Sequence, residues 1–153
     1  MLLFRFVFIF GGIIMQKENI LTRDELTSEI DLLIHNLVNL SDPTGKSAVK
    51  VADGSIIDNK SFDFWEWTSG IGLYGMMKYY QMTRNQKILD RIVQWYDDHL
   101  FRKVPVEKNI NTMVQMLTLS YLYEETGNKA YLPYLHSWAD WLYYELPRTE
   151  LGG

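Results

Sequence analysis

From Thr22 onward the apolar positions recur at the three- and four-residue steps that gather them on one side of a helix. Leu26, Ile30, Leu33, Leu37 and Leu40 form one such stripe. Ahead of it, Thr22-Arg-Asp-Glu25 places a hydroxyl and a carboxylate where each satisfies a free amide of the first turn, and Asp42-Pro43 closes the element. The stretch from Thr44 to Phe64, rich in Gly, Asp and Asn, reads as loop or short hairpin. Further helices are predicted from Trp67 to Met82, Gln86 to Leu100, Asn111 to Glu125 and Lys129 to Leu146, punctuated by Pro105, Gly127 and Pro147. The chain is all-α in class.

A repeat organises these helices. Tyr80-Gln-Met-Thr83-Arg-Asn85 lies over Tyr123-Glu-Glu-Thr126-Gly-Asn128 at an offset of 43 residues, and at that offset Met76 meets Leu119, Leu89 meets Leu132, Ile92 meets Leu135 and Trp95 meets Trp138. The period is too long for a tetratricopeptide unit. It suits a HEAT-like solenoid or the hairpins of an α/α toroid, in which inner and outer helices alternate around a ring. Five helices supply between two and three hairpins, so either architecture is incomplete, and an open stack would leave its last apolar face uncovered. A fragment, or a half-domain in need of a partner, is the expectation.

Residues 1–15 stand apart: twelve are apolar, two are Gly, and Arg5 carries the single charge. The segment is shorter than the roughly 20 apolar residues of a spanning helix, and no small-residue cleavage site precedes Gln16-Lys-Glu-Asn19. An upstream extension with Met15 as the working initiator, a poor signal or anchor, and a docked apolar arm are the three readings, and a membrane span is disfavoured. Composition narrows the function classes. A net charge of −4 argues against nucleic acid, and the absence of Cys excludes disulfides, thiolate metal sites and cysteine nucleophiles. With three scattered His, no metal site is expected. Eighteen of the 22 aromatic residues fall between Phe62 and Tyr144.

The repeat aligns Trp67-Thr68 with Ile110-Asn111, so Trp65-Glu-Trp67-Thr-Ser-Gly70 and Lys108-Asn-Ile-Asn111-Thr112 occupy equivalent helix starts on one rim. Free amides and the positive dipole end favour an anionic group there. Trp65 and Trp67 offer flat apolar faces for a sugar or planar ring, while Glu66 and Asn111 offer polar contacts. The ligand so described is small, acidic and ring-shaped. Packing competes with this reading. Trp65 and Trp67 would equally serve as hydrophobic staples, and Asn109, Asn111 and Thr112 as simple caps. Trp95, Trp138, Trp141 and most Tyr read as core. Gly70, Gly72 and Gly75 read as sites of close helix approach, Asp97-Asp98-His99 as a solvated face, His35 and His136 as non-functional, and Asp140 and Glu145 as surface charges.

Phe64-Trp-Glu-Trp67-Thr-Ser-Gly70-Ile-Gly-Leu-Tyr-Gly75, Lys108-Asn-Ile-Asn-Thr-Met113 and Glu145-Leu-Pro-Arg-Thr-Glu150-Leu-Gly-Gly153, taken in order and spacing, resemble the unsaturated glycuronyl hydrolases of glycoside hydrolase families 88 and 105, most of all the unsaturated rhamnogalacturonyl branch. The likeness covers about residues 20–153. It implies the first part of an (α/α)6 toroid acting on an oligosaccharide that ends in a 4,5-unsaturated uronic acid, as left by a pectin lyase. It further implies that an Asp protonates the double bond and guides water to the neighbouring carbon, without cofactor or metal, unlike paired-carboxylate glycosidases. That Asp follows the Arg-Thr-x-x-Gly-Gly segment, here Arg148 to Gly153, so no catalytic residue is expected within the chain, which alone should be inactive. Glu66 and Trp67 carry over as sugar-binding residues. Asn111 aligns with a position that is acidic in some relatives, and as an amide it orients or binds without titrating. Thr68-Ser69 departs from the Pro-Gln or His-Gln common there, which leaves the substrate subtype open. The resemblance and the lack of a convincing export signal point to the cytoplasm. The competing class is an α-helical repeat module that binds a partner without catalysis, and a third reading is a non-functional gene remnant.

Overall fold

The computed structural model describes residues 7–10, 13–16, 21–50, 54–101 and 106–150. The chain divides into two units, Met1–His35 and Asn36–Gly153. In the first, strands β1 (Val7–Phe10) and β2 (Ile13–Gln16) pair antiparallel, with Val7 opposite Gln16 and Phe10 opposite Ile13. A hairpin thus occupies part of the apolar extension. Helix α1 (Arg23–Val38) follows. Its predicted start is present: the Thr22 amide donates to Glu25 Oε2 at 2.8 Å and the Glu25 amide to Thr22 Oγ1 at 3.2 Å. The Thr22 amide, followed by the Thr22 hydroxyl donating to the same Oε2 at 2.9 Å, holds the Glu25 carboxyl below its ordinary range.

The second unit opens with a turn organised by Asp42, whose carboxylate accepts from the Thr44 hydroxyl at 2.6 Å, the Thr44 amide at 3.0 Å and the Ser47 amide at 2.7 Å. The Thr44 hydroxyl, followed by the Thr44 amide, holds that carboxyl far below the usual carboxylate range. Strands β3 (Ala48–Lys50) and β4 (Ile56–Asp58) then form the expected short antiparallel hairpin, with Val49 opposite Ile57.

Four helices follow: α2 (Trp67–Thr83), α3 (Gln86–Phe101), α4 (Gln115–Thr126) and α5 (Leu132–Asp140). A 3-10 turn (Lys129–Tyr131) precedes α5 and a π turn (Trp141–Glu145) continues it. Helix α2 packs against both α3 and α4, and α4 against α5. Side chains join α2 to α4 at both ends: Gln115 Nε2 donates to the Glu66 carbonyl at 2.6 Å, and Tyr80 Oη to Glu125 Oε1 at 2.7 Å. The two helices therefore run parallel, start beside start, which is how neighbouring inner helices of a toroid are related. Their core combines Leu73, Met76, Met77 and Tyr80 of α2 with Ile92, Trp95 and Tyr96 of α3 and Met116, Leu119 and Leu122 of α4. Trp138 and Trp141 are buried, as their helical spacing requires.

The repeat is reproduced bond for bond. Arg84 and Gly127, 43 positions apart, both end their helices in the left-handed region, with φ of 56° and 65°, and their amides donate to the Tyr80 and Tyr123 carbonyls. Asn85 and Asn128 then start the next element by accepting from the Lys87 and Ala130 amides. Two expected boundaries shift. Helix α4 begins at Gln115 rather than Asn111, because Asn109 Oδ1 takes the Asn111 and Thr112 amides at 2.8 and 3.1 Å and holds the segment as a turn. The single helix expected from Lys129 to Leu146 is wound three ways, ending where the Leu146 amide reaches back five residues to the Trp141 carbonyl. Among the described residues no helix is long and apolar enough to cross a membrane.

Candidate functional site

The starts of α2 and α4 share one hydroxyl brace. Ser69 Oγ lies 2.6 Å from the Phe64 carbonyl and 2.9 Å from the Glu66 carbonyl, and receives the Glu66 amide at 3.4 Å. At the same offset Thr112 Oγ1 lies 2.8 Å from the Glu107 carbonyl and 3.2 Å from the Asn109 carbonyl, and receives the Asn109 amide at 3.0 Å. Both hydroxyl residues are buried. Two cross-links then set the junctions side by side. The Trp65 indole N–H donates to the Thr112 carbonyl at 2.7 Å, and the Gln115 amide reaches the Glu66 carbonyl and, at 3.2 Å, Ser69 Oγ. Gly70 permits this approach, since a Cβ there would stand 2.8 Å from Val114 Cγ1 and 3.2 Å from Gln115 Cδ.

On this frame Trp67 and Ile110 are exposed at equivalent positions, 46% and 69%, followed by the exposed Thr68 and Asn111. Glu66 caps α2, its Oε1 accepting from the Trp67 amide at 3.1 Å. The structure thus brings Glu66, Trp67 and Asn111 to one rim. Trp65 turns the other way: it is 5% exposed, 5.2 Å from the Trp95 ring and edge-on to Tyr96. Of its two readings, the geometry places Trp65 in the packing, where it braces the rim from behind. What the rim offers is an aromatic face, an amide, a hydroxyl and one carboxylate. That is equipment suited to holding a polar ring.

Behind the rim a cavity of about 250 Å³ is lined by Trp65, His99, Lys108, Tyr134, Ser137 and Trp138. Lys108 Nζ donates to the Ser137 carbonyl at 2.8 Å and Oγ at 2.7 Å, and lies 5.8 Å from the Trp138 ring. His99 corrects one expectation. The Asp97-Asp98-His99 run was expected on a solvated face, but His99 is 6% exposed and stacks on Trp95 at 3.8 Å. It continues the core stripe of Ile88, Ile92 and Trp95 at steps of four, three and four, so consecutive residues here face different surroundings. Gly75 is a second correction: nothing lies within 4 Å of a Cβ built there, whereas Gly72 meets Leu37 Cδ2 at 2.7 Å. Asp140 and Glu145 are exposed, as expected, and His136 is exposed as well. Ser69, Thr112 and Gln115 were not singled out for the frame. The first two were visible as hydroxyl residues 43 apart; Gln115 carries no periodic signal.

The model of Glycosyl Hydrolase Family 88 matches residues 40–153. The chain belongs to this family. Among characterised relatives, it is 27% identical over 108 residues to the unsaturated rhamnogalacturonyl hydrolase YesR of Bacillus subtilis, a match covering 70% of this chain and 31% of that protein. Two solved structures, each described as a possible member of family GH105, share its fold. One is from Klebsiella pneumoniae, at 45% identity with a TM-score of 0.81, and the other from Salmonella enterica serovar Paratyphi A, at 47% with a TM-score of 0.82. Each match covers 91% of this chain and 36% of the other. The chain therefore spans about a third of the length of its relatives, and its fold is the corresponding part of an (α/α)6 toroid.

Proposed function

We propose that this chain supplies part of the sugar cleft of a glycoside hydrolase that removes a 4,5-unsaturated uronic acid from the end of a rhamnogalacturonan oligosaccharide. The observation that carries this reading is the pairing of the exposed Trp67, at the start of α2, with the exposed Asn111, in the turn ahead of α4, on junctions cross-linked by Trp65 and Gln115. Trp67 stacks on the apolar face of the sugar ring, and Asn111 and Glu66 hydrogen-bond its hydroxyls. Catalysis proceeds by protonation and hydration of the double bond, with the acid supplied by an Asp outside these residues. Family membership and the name of the Bacillus relative support this reading.

The test joins this chain to the remaining two-thirds of a related hydrolase and follows loss of the ultraviolet absorbance of the unsaturated bond in lyase-digested rhamnogalacturonan. The joined enzyme is expected to consume the bond, and the 153-residue chain alone to leave it unchanged. Trp67→Ala and Asn111→Ala should each lower kcat/KM at least about tenfold, or about 1.4 kcal/mol. Unchanged turnover in both variants, or turnover by the chain alone, overturns the assignment.

A further inference from the structure

His99 is bound in a way that a neutral imidazole cannot satisfy. Its Nδ1 stands 2.7 Å from the Trp95 carbonyl and its Nε2 2.8 Å from the Asp63 carbonyl. Both partners are backbone oxygens, which only accept, whereas a neutral ring has one N–H to give. In either neutral tautomer a lone pair would face a carbonyl oxygen at hydrogen-bond distance. A second proton turns that repulsion into a charge-assisted bond, the stronger kind. The ring stacks on Trp95 at 3.8 Å with a 22° tilt and lies 5.7 Å from Trp65, so aromatic faces stand beside the charge.

We propose that His99 is an imidazolium whose two N–H groups clamp the segment before α2 to the last turn of α3, making it the positioning residue for the Trp65-Glu66-Trp67 rim. The clamped segment is short. The Trp95 indole N–H holds the Phe62 carbonyl at 3.0 Å, His99 holds the next carbonyl, and the Phe64 carbonyl faces Ser69 Oγ. Three consecutive backbone oxygens are thus fixed immediately ahead of Trp65. Of the titratable groups on the packed elements, Lys108 on the segment before α4 and Tyr134 on α5 line the same cavity as the ring, while on α3 the Asp97 carboxylate accepts from Tyr131 and that of Asp98 from Gln94, and Asp63 meets the ring through its main-chain carbonyl. Lys108 and burial oppose the charged ring, and the two carbonyl bonds favour it. The clamp's importance for sugar binding rests on the function proposed above; the protonation state does not.

The experiment is nitrogen-detected NMR of the full chain carrying His35→Gln and His136→Gln, two exposed positions, so that His99 is the remaining histidine. At about pH 7.5, one unit above the ordinary imidazole midpoint near 6.5, both ring nitrogens are expected to carry protons, which is proton binding at least about tenfold tighter than ordinary. A ring nitrogen without a proton at that pH overturns the proposal. On raising the pH further, the indole N–H signals of Trp95 and Trp65 should shift with the same midpoint as His99. Indole signals that stay constant through the His99 titration overturn the clamp even where the charge is present. His99→Gln should remove the coupled shift, and the wild-type co-titration decides the matter if that variant does not fold. No sugar enters either measurement, so failure of sugar binding and failure of the clamp are separate results.

Discussion

At the residue scale, close approach governs the site more than any single polar contact. Gly70 has room for a hydrogen and nothing larger, because a Cβ would press on Val114 within van der Waals distance. Gly70→Ala is expected to cost about 1–3 kcal/mol by separating the two helix starts. Gly75→Ala, five residues along the same helix with nothing near its Cβ, should instead gain about 0.5–1 kcal/mol from helix propensity. Urea denaturation of the two variants against the wild type measures both, and opposite signs are the expected outcome. The sequence presents Gly70, Gly72 and Gly75 as alike. Only the neighbours brought by α4 and by Leu37 distinguish them, and no local pattern encodes which helix will arrive.

At the scale of the element, the hairpin repeat was legible because each copy spells out the same hydrogen bonds. Tyr80 and Tyr123 supply the last carbonyls, Thr83 and Thr126 cap back onto Tyr79 and Leu122, and Asn85 and Asn128 start the following element. The αL position between them is Arg in one copy and Gly in the other. Gly127→Ala should cost about 1 kcal/mol through backbone conformation alone, since no atom lies within 4 Å of the added carbon. Arg84→Gly gives up the 2.8 Å ion pair with Glu125 but relieves the backbone, so in high salt, where the pair is screened, its melting temperature should rise. The start of α4 was less legible. Asn111 continues a helical pattern in sequence, but the Asn109 side chain competes for the same amides and wins them. The burial of His99 could have been read from the stripe it extends; its adjacency to Asp97 and Asp98 hid it.

At the scale of the whole molecule, polar links between hairpins come from tyrosines as well as from the site. Tyr131, buried beside Asp97 and donating to it at 2.9 Å, joins the second hairpin to α3. Burial, then the Asp97 bond, pushes its hydroxyl up to about 12. Tyr96 is raised further by its full burial. Because the folded value of Tyr131 lies above the ordinary value near 10, the stability it contributes is complete below about pH 10 and lost as the pH rises through about 12. Thermal melts across that alkaline window should show a decline for the wild type that Tyr131→Phe flattens. A decline unaltered by that change would place the alkaline sensitivity elsewhere.

The paired hydroxyl braces have a consequence for how such a cleft diversifies. Ser69 and Thr112 grip main-chain atoms of their own junctions, so the scaffold of each helix start is indifferent to the outward groups it displays. Trp67 and Ile110, or Thr68 and Asn111, are different cargo on one mount. Selection can therefore exchange the group displayed at one start without re-engineering the other, one mount at a time.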